Sequence, residues 1–110
     1  MNEIPKHDIK IKQGGDYSID FIYTDDDENP IDLTNWTIFS HIRQTPQSYD
    51  YFPFTCSADE NGIHLSLSKE LTDEITFSKG FYDVFITDPN NEKRTPLIQG
   101  EVTIIPRSTR

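Results

Sequence analysis

The strongest constraint on this chain is a two-residue period. Tyr17, Ile19, Phe21 and Tyr23 are separated by polar Ser18 and Asp20 in the first half of the run. Ile9 and Ile11 alternate with Lys10 and Lys12, and Ile63, Leu65 and Leu67 alternate with His64 and Ser66. Successive side chains of a strand point to opposite faces, so each run reads as a strand with one dry and one wet face. Helical spacing is confined to Ser68–Ile75, where Leu71 and Ile75 lie four apart and Ser68 is placed to cap. One or two turns of helix are expected there.

The other segments follow the same logic. Gly14-Gly15 breaks the chain after the first run, and the polar stretch Asp25 to Pro30 is a turn. A short Ile31-Asp32-Leu33 piece and a Thr34-Asn35 turn lead to the next strand. On that strand Trp36, Ile38 and Ile42 share one face, and Thr37, Phe39, His41 and Arg43 share the other. Tyr51 to Cys56 reads as one strand, demoted to an edge by Pro53. Asn61-Gly62 signals a hairpin turn. Strands are expected over Phe81–Thr87 and from about Leu97 to Ile105, with a dense turn at Asp88-Pro89-Asn90-Asn91 between them. Gly100 inside the last strand marks a bulge or a close backbone approach.

About seven short strands at regular spacing in one chain of this length describe an all-β, immunoglobulin-like β-sandwich with one short helical turn. The expected unit is a single domain over 1–110, with flexible tails at about 1–6 and 106–110. In such a sandwich Phe21 or Ile19 takes the strand B core position and Trp36 lies on strand C. Tyr82 becomes the tyrosine corner, and Val84 stands where a second cysteine would be.

Composition narrows the function. The net charge is −9, which repels phosphate backbones and anionic bilayers, so no nucleic acid and no membrane are expected as partners. A single cysteine, Cys56, excludes an internal disulfide framework. The first residues hold no apolar signal-peptide core, and no run is long enough to span a bilayer. A soluble protein made in a cytoplasm is expected.

The residues that carry most chemistries are not in the required patterns. His7, His41 and His64 fall in no paired metal spacing, and Gly14-Gly15 lacks the lysine and helix of a phosphate loop. His41 and His64 belong to polar strand faces, where solvation is their ordinary state. Cys56 reads as a small buried hydrophobe. The acidic run Asp25-Asp26-Asp27-Glu28 resembles a calcium loop only until its sixth and twelfth positions, which hold Pro30 and Trp36. A looser site using Asp25, Asp27 and Asp32 is the remaining metal option, against a solvated loop. The expectation is therefore no enzyme, no metal and no cofactor.

What remains is surface. If Trp36, Tyr82 and Val84 face the core, then Phe39, Phe81 and Phe85 face out, with His41, Arg43 and Asp83 among them. A sheet face with three phenylalanines is too apolar for open water. It is either an interface with another subunit, or the product of a one-residue register slip, or a face covered by a loop or terminus.

The order of the segments resembles that of small β-sandwich virion structural proteins of tailed bacteriophages. The resemblance rests on Ile9-Lys-Ile-Lys-Gln-Gly-Gly-Asp-Tyr, Phe21-Ile-Tyr-Thr-Asp, Pro30-Ile-Asp-Leu-Thr-Asn-Trp and Ile42-Arg43. It continues through Leu67-Ser-Lys-Glu-Leu-Thr, Phe81-Tyr-Asp-Val-Phe-Ile-Thr-Asp and Leu97-Ile-Gln-Gly-Glu-Val-Thr-Ile. Each motif is short, and together they cover nearly the whole chain. The resemblance implies a structural protein of tail fibre, baseplate or head, located in the virion and made in the host cytoplasm. It would bind other virion proteins through sheet faces, edges and termini, with homo-oligomerisation in the particle. The alternatives are a carbohydrate-binding module, resting on Tyr49, Tyr51 and Phe52, and a host-surface adhesion module that uses the acidic run.

Overall fold

The computed structural model describes residues 5–24, 27, 29, 31–45, 47–60, 62–90 and 92–107. Among these residues eight strands and one helix follow in chain order: β1 (Ile9–Lys12), β2 (Tyr17–Phe21), β3 (Thr37–Arg43), β4 (Phe52–Pro53), β5 (Thr55–Asp59), β6 (Gly62–Leu67), α1 (Lys69–Glu74), β7 (Lys79–Thr87) and β8 (Arg94–Ile105). They form a five-stranded sheet in the order β1-β8-β7-β3-β4 and a three-stranded sheet in the order β2-β6-β5. This is the immunoglobulin-like sandwich that the strand periodicity implies. The pairs are antiparallel except β1 with β8, which run parallel.

The core is the sum of the dry faces. Ile9 and Ile11 from β1, Ile42 from β3, Ile63, Leu65 and Leu67 from β6, and Val84 and Ile86 from β7 are buried together with Val102 and Ile104 from β8. Burying an aliphatic side chain of this size contributes about 1.5–3 kcal/mol. Between Ile38 and Ile42 on the inner face of β3 sits Ser40, and its hydroxyl donates to the Asp83 carbonyl at 2.7 Å. A buried hydroxyl with a partner avoids the cost of an unmade bond.

Several local expectations are refined. The Tyr51–Cys56 stretch is two strands rather than one. Phe52–Pro53 pairs with β3 at the edge of the large sheet, and the chain then crosses at Phe54 so that Thr55–Asp59 pairs with β6 in the small one. Pro53 lacks a backbone N–H and sits in the edge strand, where none is needed. Tyr82 is buried, but it is no tyrosine corner. Its hydroxyl reaches the carbonyl of His7 in the N-terminal segment rather than the chain just upstream. Trp36 precedes β3, packs against the core from its end and contacts Tyr23, with ring centroids 6.5 Å apart. Its place on the inner face of the strand is taken by Ile38 and Ile42.

Gly100 makes the close approach expected of it: a Cβ there would lie 2.1 Å from the His7 carbonyl oxygen. The irregularity of the β7–β8 ladder lies instead between Val84 and Phe85. Ser68 caps α1, accepting a bond from the Leu71 amide. The buried Thr72 ties the helix to the first turn, its hydroxyl accepting from the Gly14 amide at 3.1 Å and donating to the Gly15 carbonyl at 2.9 Å. Of the expected tails, Lys6 bridges to Gln99 and Arg107 lies 3.6 Å from Asp73. Asn61 and most of the acidic run (Asp25, Asp26 and Glu28) lie outside the described residues.

Candidate functional site

The outer face of the five-stranded sheet is built from residues that alternate with the core. On β3 the inner set is Ile38, Ser40 and Ile42, so Thr37, Phe39, His41 and Arg43 point away from it. On β7 burial of Tyr82, Val84 and Ile86 turns Phe81, Asp83 and Phe85 outward. The ladder between the two strands then sets these residues directly opposite one another. Phe39 faces Phe85, His41 faces Asp83, and Arg43 faces Phe81. The six residues singled out in the sequence are thus three cross-strand pairs on one surface, the closest approach that strand neighbours make. No one-residue slip occurs, and Phe39 and Phe81 remain 44% and 42% exposed.

Strand β8 extends each row. Pro96 stands beside Phe85, Gln99 beside Asp83, and Glu101 beside Phe81. On the other side Tyr51 closes the face. Its ring stacks on His41 with centroids 4.2 Å apart and planes inclined by 21°, and the Arg43 guanidinium lies 4.8 Å from its centroid. The Arg43 Nη1 also donates to the Ser48 carbonyl at 2.7 Å, which fixes the approach of that loop. The Arg94 guanidinium lies 5.0 Å above Phe39, whose edge meets His41. Cation–π contacts of this kind contribute about 0.5–1 kcal/mol at exposed sites and hold the arginines over the rings.

The electrostatics follow from crowding. Burial, and then the positive Arg43, hold the His41 imidazole below its usual range, so it presents a neutral ring. Burial pushes the Asp83 carboxyl above its usual range, with His41 and Arg43 pulling it back. The face therefore offers flat rings, two arginines held on rings and a partly desolvated carboxylate. That set suits adhesion to another surface. It contains no paired nucleophile and base.

Tyr51, Arg94 and Lys6 were not among the site residues read from the sequence. Tyr51 belonged there to a proposed sugar platform with Tyr49 and Phe52. The strand period separates them: Phe52 turns inward to Phe77, with centroids 6.0 Å apart, while Tyr51 joins His41. Arg94 is displaced from any simple alternation by the β7–β8 irregularity, so counting along the sequence does not place it.

The remaining candidates lie elsewhere. His64, expected to be merely solvated, is held on the small sheet between Asp20 and Asp59. Asp32 accepts from the Thr34 amide and hydroxyl at 2.9 and 2.6 Å, so its carboxylate closes a local turn. Among the described residues no three acidic, histidine or cysteine side chains gather as metal ligands. Cys56 is half-buried, its thiol donating to the Phe54 carbonyl at 3.3 Å, and burial raises its pKa. No helix among the described residues is long and apolar enough to cross a membrane.

Comparison with known proteins adds the family. Residues 3–104 match the family model described as "LtfC-like, beta-sandwich domain". No curated protein sequence matches the chain. Among solved structures, the extracellular domain of the voltage-gated sodium channel β4 subunit superposes with a TM-score of 0.54 at 12% identity, over 97% of each chain. At that identity the likeness is one of fold.

Proposed function

The chain belongs to the LtfC-like β-sandwich domain family, and on that premise we propose that it is a non-catalytic structural protein of a tailed-phage virion. It attaches to other virion proteins, and to copies of itself, through the outer face of its five-stranded sheet. The observation that carries this reading is the exposure of Phe39, Phe81 and Tyr51 together on a face ordered by cross-strand pairs and cation–π contacts. Aromatic rings and arginines on a flat, ordered surface are what protein interfaces enrich at their centres. The order of the sequence segments, which resembles that of small tailed-phage virion proteins, supports a place in the virion. The sodium channel subunit of similar fold is described as forming parallel homodimers that explain its role in cell–cell adhesion. The sandwich is thus a scaffold on which association is known in an unrelated setting.

The test is incorporation. Particles are purified from cells supplying either the parent chain or the double variant Phe39→Ser/Phe85→Ser, and the chain is counted by mass spectrometry. The reading expects a fixed copy number for the parent and loss of the variant from particles, with the variant still folded by its thermal melt. A variant retained at the parental copy number, or a parent chain absent from particles, overturns it.

A further inference from the structure

The same sheet face carries a charge pattern that the net charge hides. Lys10 and Lys12 point outward from β1, alternating with buried Ile9 and Ile11. Lys10 and Lys79 both flank Thr103, one from each neighbouring strand. Lys6 bridges Gln99, and Arg43 and Arg94 lie on Tyr51 and Phe39. Among the described residues, six of the nine cationic side chains therefore occupy this face, against Asp8, Asp83 and Glu101 of the fifteen acidic ones. The rest of the described residues hold three cations and twelve acids. Exposed Asp16, Asp20, Glu70 and Glu74 belong to that remainder.

A cationic, aromatic face is thus backed by a strongly acidic body. Two such faces laid on each other would oppose like charges, which costs several kcal/mol at an interface. The acidic body of another copy presents the complementary sign. Resting on the attachment reading above, we propose that copies of this chain associate head to tail, the outer sheet face of one seating on the acidic surface of the next. The patches on the two sides of such a contact differ, so it does not stop at a pair. It closes into a ring or continues as a row. Charge brings the copies together, and Phe39, Phe81 and Tyr51 supply the apolar contact once they meet.

Sedimentation velocity of the full chain, over a hundredfold concentration range at about 50 and about 500 mM salt, tests this, because screening shortens from ~14 to ~4 Å between them. Assemblies of three or more copies are expected at low salt and monomer at high salt. Lys10→Glu/Lys79→Glu is expected to weaken association at least about tenfold, with Lys10→Gln/Lys79→Gln between it and the parent. Lys69→Glu, which adds an acid to the body beside Asp16 and Glu70, should associate at least as well as the parent, and thermal melts check that each variant is folded. A chain that stays monomeric throughout, that stops at a dimer, or whose association is untouched by the Lys10 and Lys79 changes overturns the proposal. If the chain is monomeric while Phe39→Ser/Phe85→Ser is lost from particles, the head-to-tail contact fails and attachment to a different virion protein stands.

Discussion

Asp20 and His64 face each other across the β2–β6 ladder, with the carboxylate Oδ1 2.8 Å from the imidazole Nδ1. Asp59 approaches the other ring nitrogen, Nε2, at 3.1 Å. A ring with an acceptor at each nitrogen keeps its proton, so the bond to Asp20, then that to Asp59, raises the His64 pKa above 6.5. His41 is shifted the opposite way by burial and Arg43.

The two histidines therefore give opposite slopes of stability with pH. For His64 the folded pKa is raised, so its contribution is complete below about 6.5 and is lost as pH rises through the folded value. For His41 the folded pKa is depressed, so stability is lost as pH falls from about 6.5 through the folded value. NMR titration of the imidazoles is expected to place His64 above 6.5 and His41 below it. Asp20→Asn should lower the His64 value. His64→Asn should remove the loss of urea resistance that sets in as pH rises above about 6.5. A His64 that titrates at or below 6.5 contradicts the bridge.

Gly100 and Tyr82 together seat the N-terminal segment. A methyl group at position 100 meets the His7 carbonyl at 2.1 Å, and the backbone there must move. Gly100→Ala is expected to cost about 1–3 kcal/mol in denaturant unfolding, as overpacking does. Tyr82→Phe removes the bond to the same carbonyl and is expected to cost about 1 kcal/mol. Amide exchange should quicken at His7 and in β1 in both variants. Unchanged exchange there would mean that these two residues do not hold the segment.

Two residues on opposite faces of β3 separate stability from attachment. Ile42 is completely buried, and Ile42→Ala is expected to cost about 2–5 kcal/mol. Phe39→Ala loses only contacts on an exposed ring and should change stability by about 1 kcal/mol or less. A Phe39→Ala chain as unstable as Ile42→Ala would mean that the face is structural.

The Cys56 thiol should react slowly. Burial raises its pKa and its hydrogen goes to Phe54, so little thiolate is present at neutral pH. Ellman's reagent is expected to label the folded chain many times more slowly than the chain in denaturant. Equal rates would place the thiol in open solvent.

Most of the sandwich was legible because its signal is local. Ile9, Ile11, Ile63, Leu65 and Leu67 declare their faces by simple alternation, and all five are buried. The outward face of the six site residues followed from the same counting on β3 and β7, whereas their pairing is set by the ladder between the strands. What escaped was set by contacts distant in sequence. Nothing within the Tyr51–Cys56 stretch says that it changes sheets at Phe54, since that depends on where β3 and β6 lie. The partner of the Tyr82 hydroxyl is 75 residues away. His64 looked solvated because Asp20 is 44 positions removed. Arg94 reaches the site through an irregular ladder, where period two no longer predicts direction, and Tyr51 reaches it because the edge strand that follows it pairs with β3.

The parallel pairing of β1 with β8 has a mechanical meaning. The chain enters this ladder beside Gln99 and leaves it beyond Ile105, and the two strands point the same way. Tension that draws the two ends apart therefore slides β1 and β8 past each other along their length. The hydrogen bonds of the ladder, with the Tyr82 and Asp8 contacts to its flank, bear that load at once rather than opening one after another. A sandwich tied this way resists stretching between its ends far better than it resists peeling of a single edge.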